Sequence, residues 1–261
     1  MRQIFTIVGL LISGLVCAQQ PKTTNFIAEL TKYDISHLWT LNKFQVENDT
    51  TIVERKEPLG YIGDNYQRFY IHFCSAIQNP KNKLEYFICG KTRVRNNICN
   101  FQGKLIIKEA KIYKTEDYFP ELTQGSVLGT YEFFEDAKQK GTGILSGTFS
   151  TYFYLDEKGQ LKYNALLFVA DTFSNNLFEG IWSNYMSKET KKCNWGDYRI
   201  PDSNELDGGT CEFMVKSKYA TNGWIGYMIA NGASPDRMDI ISAQKEENRK
   251  WWLEDDKTMN R

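Results

Sequence analysis

The sequence predicts a mainly β protein. An antiparallel up-and-down meander of about ten strands curls into a closed or partly open barrel, and helices follow at the C-terminal end. Three observations carry this. Runs rich in aromatic and β-branched residues succeed one another from Phe44 to Ile200. The links between them, such as NPKNK, AKQKG, DEKG and TFSNN, are short and contain Gly, Asn or Asp, which is the hairpin pattern and leaves no room for crossover helices. Several runs are long: Thr142–Leu155 would extend about 45 Å, with Gly143 and Gly147 inside it, where glycine permits a sharp bend. A two-layer β-sandwich is the alternative.

Taken in order, the chain opens with MRQIFTIVGLLISGLVCA. Arg2 precedes an apolar run from Ile4 to Val16, and Val16-Cys17-Ala18 offers a small-residue exit. Residues 1–18 therefore read as a secretory signal cut after Ala18, too short in its apolar core to span a bilayer comfortably. Val16 stands where a lipobox carries a small residue, which argues against lipid anchoring at Cys17. The expected location is periplasmic, outer-surface or secreted, with no transmembrane span after cleavage.

The remaining roughly 243 residues fit one large domain or a domain with an appendage. The full chain's 32 basic and 32 acidic residues balance, and losing Arg2 leaves 31 against 32, so nothing electrostatic favours nucleic acid or anionic membranes. A short helix is expected near Asp34–Trp39. FQVEND and TTIVERK then form a hairpin around Asn48-Asp49. YQRFYIHFCSAI, LEYFICGKTRV and ICNFQGKLIIKEAKIYK follow, then VLGTYEFFED, TGILSGTFSTYFYL, QLKYNALLFVAD and LFEGIWSNYM. In YQRFYIHFCSAI, Phe69, Ile71, Phe73 and Ile77 share one face, yet Tyr70, His72 and Cys74 on the other are poorly suited to water. Both faces are expected to be covered, one by the interior and one by an appended segment. The β domain is assigned to 19–216 and the helical appendage to 217–261. In the appendage Trp224, Tyr227 and Met228 stand at helical spacing, Asn231-Gly232 ends that helix, and Ser234-Pro235-Asp236 caps a second one running into the Trp251-Trp252 pair.

Five cysteines remain after the leader. Cys74, Cys89, Cys99 and Cys193 are disulfide candidates. Cys74 would face Cys89 across a hairpin, and Cys193 would pair with Cys99 or Cys211. No CxxC or Cys/His metal spacing occurs, and no cofactor motif is present. The two histidines, His37 and His72, read as structural. Without a G-x-S-x-G elbow, a phosphate loop or H-E-x-x-H, nucleophilic and zinc catalysis have no signature here.

The densest polar stretch is KKCNWGDYRIPDSNELDGGTCEF at 191–213. As a stiff connection, Asp197 pairs with Arg199 two residues on, Pro201 ends the strand and Asp207-Gly208-Gly209 turns. As a binding surface, Trp195, Asp197, Tyr198 and Arg199 present apolar faces with polar handles, joined by Tyr61 and Arg68 from EPLGYIGDNYQRF. As a hydrolase, it supplies carboxylates Asp197, Glu205, Asp207 and Glu212. A calcium loop using Asp202, Asn204 and Asp207 lacks the EF-hand order, because Leu206 takes a ligand position. Asp49-Thr50-Thr51 matches a short O-glycosylation pattern of exported Bacteroidota proteins, and Asn48-Asp49-Thr50 equally fits an N-linked sequon.

EPLGYIGDNYQRFYIHF, NNICNFQGKLII, CNWGDYRIPDSNELDGG and KWWLED together resemble uncharacterised exported proteins of gut-type Bacteroidota, which implies export and a shared fold and transfers no activity. In pattern, the meander also resembles calycin-like barrels such as lipocalins, although the lipocalin G-x-W signature is absent. The expected function is an exported non-enzymatic module binding a small ligand, a glycan or an envelope partner. The alternatives are an extracytoplasmic hydrolase using 197–212 and a structural or adhesive envelope component.

Overall fold

The structure, a computed structural model, describes residues 22–46, 51–114, 119 and 121–253. The leader with Arg2 and Cys17, and Asn48, Asp49 and Thr50 of the glycosylation patterns, lie outside the described residues.

Eight antiparallel strands close into a ring. They are β4 (Leu59–Ile62), β5 (Gln67–Asn79), β6 (Asn82–Val94), β7 (Asn97–Tyr113), β8 (Thr123–Glu135), β9 (Gly143–Leu155), β11 (Asn175–Asn184) and β12 (Thr190–Asp197). Each pairs with the next, and β12 returns to β4 with Trp195 opposite Gly60, so the expected meander is a closed barrel and not a sandwich. β1 (Thr23–Asn25) and β10 (Leu161–Tyr163) extend the sheet along β7 and β9, while β2 (Lys43–Gln45) and β3 (Ile52–Glu54) form the separate hairpin read in the sequence.

Two local readings change. QLKYNALLFVAD pairs only over Leu161–Tyr163, because Asn175 takes the next place on β9. Its side chain accepts from the Tyr152 amide and donates to the Tyr152 carbonyl. An additional strand, β4, lies in EPLGYIGDNY, where Gly60, Gly63, Asp64 and Asn65 read in the sequence as a loop feeding the next strand.

Bulky side chains fill the middle of the barrel. Trp195 stacks on Phe178 at 4.9 Å and meets Tyr131 edge-on at 5.1 Å, with Phe69, Phe101, Phe133 and Phe149 around them. Room for Tyr131 comes from Gly180, where an added Cβ would lie 2.5 Å from the Tyr131 hydroxyl. One end is plugged by the N-terminal segment, which carries α1 (Ile27–Leu30) and α2 (His37–Thr40). Trp39 meets Tyr86 and Phe149 edge-on and donates from Nε1 to Thr151, and Phe26 packs on Phe153. His37 reaches the Leu161 carbonyl, a structural use.

After Ser217 the chain turns helical. α3 (Ile225–Met228) and α4 (Arg237–Glu247) pack on each other, and a single turn at Trp251–Leu253 follows. The cap of α4 is Asp236, whose carboxylate accepts from the Met238 amide, so the helix starts two residues beyond Ser234 and stops well before the Trp pair. The appendage covers the outer face of β5. Arg68, buried on that face, lies 4.3 Å from the Trp224 ring and donates to Glu247 at 3.0 Å. His72 stacks on Trp252 at 3.9 Å and bonds Glu57. The awkward second face is thus covered at Arg68, Tyr70 and His72, as its composition implied, whereas Cys74 beyond them is exposed. No helix among the described residues is long and apolar enough to cross a membrane.

Candidate functional site

The end of the barrel opposite the plug opens into a cup of about 410 Å³. Its rim is the set of strand ends at Ile62, Gln67, Val94, Asn97, Trp182 and Lys191, all brought to one end by the alternating strand directions. Apolar walls come from Ile62, Phe69, Val94 and Trp182. Polar groups come from Asn65, Gln67, Asn97, Arg95 and Lys191. Arg95 donates to Gln67 Oε1 at 3.0 Å, and Lys191 lies 5.8 Å from the Trp182 ring. Arg95 holds φ +55°, a left-handed conformation costly for a residue with a Cβ, at the turn between β6 and β7.

Among the residues lining the cup is Glu135, the last residue of β8 and buried. One carboxylate oxygen accepts from the Thr92 hydroxyl. The other accepts from Trp182 Nε1 and the Gly143 amide, both at 2.9 Å. The first oxygen therefore keeps acceptor capacity for a donor entering the cup. Burial pushes the Glu135 carboxyl above the ordinary carboxylate range, and the three donors offset part of that rise. A carboxyl raised in the folded state contributes its stability below the ordinary value and loses it as the pH climbs through the raised one. Glu135→Gln abolishes this dependence. Its urea midpoint should gain on the unsubstituted protein as the pH rises out of the carboxylate range and then level off. A difference that stays flat with pH would refute the assignment.

A second cavity, of about 20 Å³ and with room for about one water, lies beside Trp39, Arg55, Glu57, His72 and Asn176. It adjoins a buried network centred on Asp197. Arg55 donates to both Asp197 oxygens, at 2.9 and 3.1 Å, and also to the Trp39 and Leu41 carbonyls. Tyr163 and Asn176 add bonds of 2.9 and 2.8 Å to Asp197. Burial pulls the Arg55 proton affinity down, but the Asp197 charge and hydrogen bonds outweigh it, and Arg55 stays charged.

Compared with known proteins, the chain matches no family model, no curated protein and no solved structure.

The residues of 191–213 are dispersed. Trp195 is central to the core and not part of a binding surface, because the alternation along β12 turns Cys193, Trp195 and Asp197 together toward the interior. The expected Asp197–Arg199 pair does not form. The strand ends at Asp197, Tyr198 turns at φ +64°, and Arg199 instead meets Asp207 at 3.3 Å and the Asp171 and Cys211 carbonyls. Tyr198 packs on Phe168 and Phe173. Tyr61 is buried and donates to the Asp202 carbonyl. Asp202 pairs with Lys192 and accepts from Asn204, while Asp207 binds the Gly209 and Met214 amides, so these oxygens already have partners inside the loop. No cluster of three or more His, Cys, Asp or Glu among the described residues is placed to hold a metal. Glu205 is exposed between Lys216 and Lys218, and Glu212 is exposed, apart from buried Asp197.

No disulfide joins any of the five described cysteines. Cys99 and Cys193 lie on β7 and β12, diametrically opposed in the ring, which is too far for a bridge. Cys211 is exposed while Cys193 is fully buried, so that pairing fails as well. Glu135, Thr92, Trp182 and Arg95 went unremarked in the sequence. The signal available was Glu135 itself, a carboxylate ending the apolar run VLGTYEFFE.

Proposed function

We propose that this chain is an exported, non-enzymatic, calycin-like module that holds a small ligand in the barrel mouth. The ligand has an apolar body, a hydrogen-bond donor at its inner end for Glu135 and an acidic group at its outer end for Arg95 and Lys191. The observation that carries this reading is the asymmetry of the barrel: one end is plugged by Trp39 and Phe26, and the other opens on an apolar cup with a single buried carboxylate. The order of residues 1–18 supports export.

An anilinonaphthalene sulfonate combines apolar rings, one N–H and one anionic group, and serves as the probe. Its emission should rise and shift to the blue in a saturable manner with one site per chain. Val94→Trp, which fills the cup, should weaken binding about tenfold or more while the melting temperature stays nearly unchanged. Lys191→Glu, at the rim, should weaken the anionic probe without closing the cup. Non-saturable binding, or unchanged affinity in both variants, would refute the reading.

A further inference from the structure

We propose that Cys74 and Cys89 form a cross-strand dithiol that closes reversibly to a disulfide on the outer wall of the barrel. The two residues lie on neighbouring strands, β5 and β6, and both are exposed. Their approach depends on one irregularity. Phe73 pairs with Gly90 and Ser75 with Cys89, so Cys74 is an inserted residue and two residues of β5 oppose Cys89 alone. A bulge of this kind breaks the strict alternation of faces and crowds the inserted side chain toward the opposing one.

The neighbouring residues follow that break. Phe73 packs against the core before it, and Ala76 does so after it. Ile77, which the sequence grouped with the inward Phe69, Ile71 and Phe73, is turned outward by the inserted residue and faces exposed Phe87 across the register. Cys74 and Ser75 therefore share the outer side with Cys89. Lys91, two residues from Cys89, and the Cys89 thiol are both close enough to act electrostatically on the Cys74 thiol, which burial pushes above its ordinary value. Adjacent residues of paired strands lie within the Cα separation a disulfide spans. Cys99 and Cys193 are buried inside the barrel, so an oxidant in solution meets Cys74, Cys89 and Cys211, of which only Cys74 and Cys89 lie on paired strands.

The oxidant required is a small disulfide. A thiolate of the pair attacks one of its sulfurs, breaking that S–S bond and releasing one thiol with a mixed disulfide left on the protein. The second protein thiolate attacks the protein-side sulfur of the mixed disulfide and expels the other thiol. Two protein thiols thus lose two electrons and two protons, and one small disulfide becomes two small thiols. The bridge encloses the whole β5–β6 turn and holds the bulge in place.

The test treats the folded full chain with glutathione disulfide and reads intact mass and non-reducing peptide maps. The expected product carries a cross-link joining the Cys74 and Cys89 peptides, which lightens them by two hydrogens, with any retained glutathione on exposed Cys211 and with Cys99 and Cys193 still alkylatable after denaturation. Its melting temperature should rise by several degrees, and dithiothreitol should reverse both changes. In Cys74→Ser or Cys89→Ser, both exposed replacements, the remaining cysteine should instead retain one glutathione, because no second thiol is there to expel it. Separate glutathione adducts on both cysteines of the unsubstituted chain, or a first cross-link through Cys211, would overturn the proposal.

Discussion

Trp195→Ala should lower the unfolding free energy by about 3–5 kcal/mol, the largest loss expected from any single aromatic truncation here. The indole is 1% exposed and lies 12° from parallel with Phe178, with Tyr131 and Phe69 closing its other sides. Its backbone has no slack for relaxation. A Cβ added at the facing Gly60 would lie 2.9 Å from the Trp195 Cβ, so the strands already touch and the void would stay open. Guanidinium unfolding followed by far-ultraviolet circular dichroism measures the loss without relying on the removed fluorophore. A loss below about 1 kcal/mol, accompanied by loss of the naphthalene probe, would place Trp195 at a ligand surface and overturn the core assignment.

Asp197→Ala should cost a comparable amount, about 3–5 kcal/mol, for an electrostatic reason. Its carboxylate is wholly buried and is the acceptor for Arg55, Tyr163 and Asn176. Removing it leaves a guanidinium in the wall of the barrel without its counter-charge. The double substitution Arg55→Met with Asp197→Leu should recover most of the loss, because a buried ion pair is roughly balanced against apolar residues of similar size. The control is Glu54→Ala, which breaks the exposed Lys43–Glu54 pair and should cost no more than about 1 kcal/mol. Equal costs for Asp197→Ala and Glu54→Ala, or no recovery in the double variant, would contradict the account. The network also joins the plug to the barrel, since Asn176 donates to the Leu38 carbonyl from a left-handed conformation at φ +46°. Asp197→Ala is therefore expected to loosen α2, and its amides should exchange earlier than those of β7 and β8.

The β architecture was legible because strand and turn signals are local. Alternation in YQRFYIHF identified an inward and an outward face, and the second face is covered by Trp224, Trp251 and Trp252 as its composition required. Legibility failed where a residue's partner is remote. Trp195, Asp197, Tyr198 and Arg199 are contiguous and chemically rich, which invited their reading as one surface. The turn at Tyr198 instead separates the inward members from Arg199, which anchors an outer loop. Arg68 was likewise joined to that binding surface in the sequence, whereas it is the buried peg on which the appendage sits.

The sequence by itself determined a mainly β chain, an antiparallel order of neighbouring strands and a helical end, because hydrophobic period and turn chemistry act over a few residues. Only the tertiary structure decided what meets what. Closing the ring brings Glu135 to Thr92 and Trp182 across separations of 43 and 47 residues, and Arg55 to Asp197 across 142. The physical reason is that a carboxylate carries no mark of burial in its own neighbourhood. Whether it becomes a buried lining group of a cup, a buried counter-ion or an exposed lysine partner such as Glu205 depends on which strands the barrel places around it.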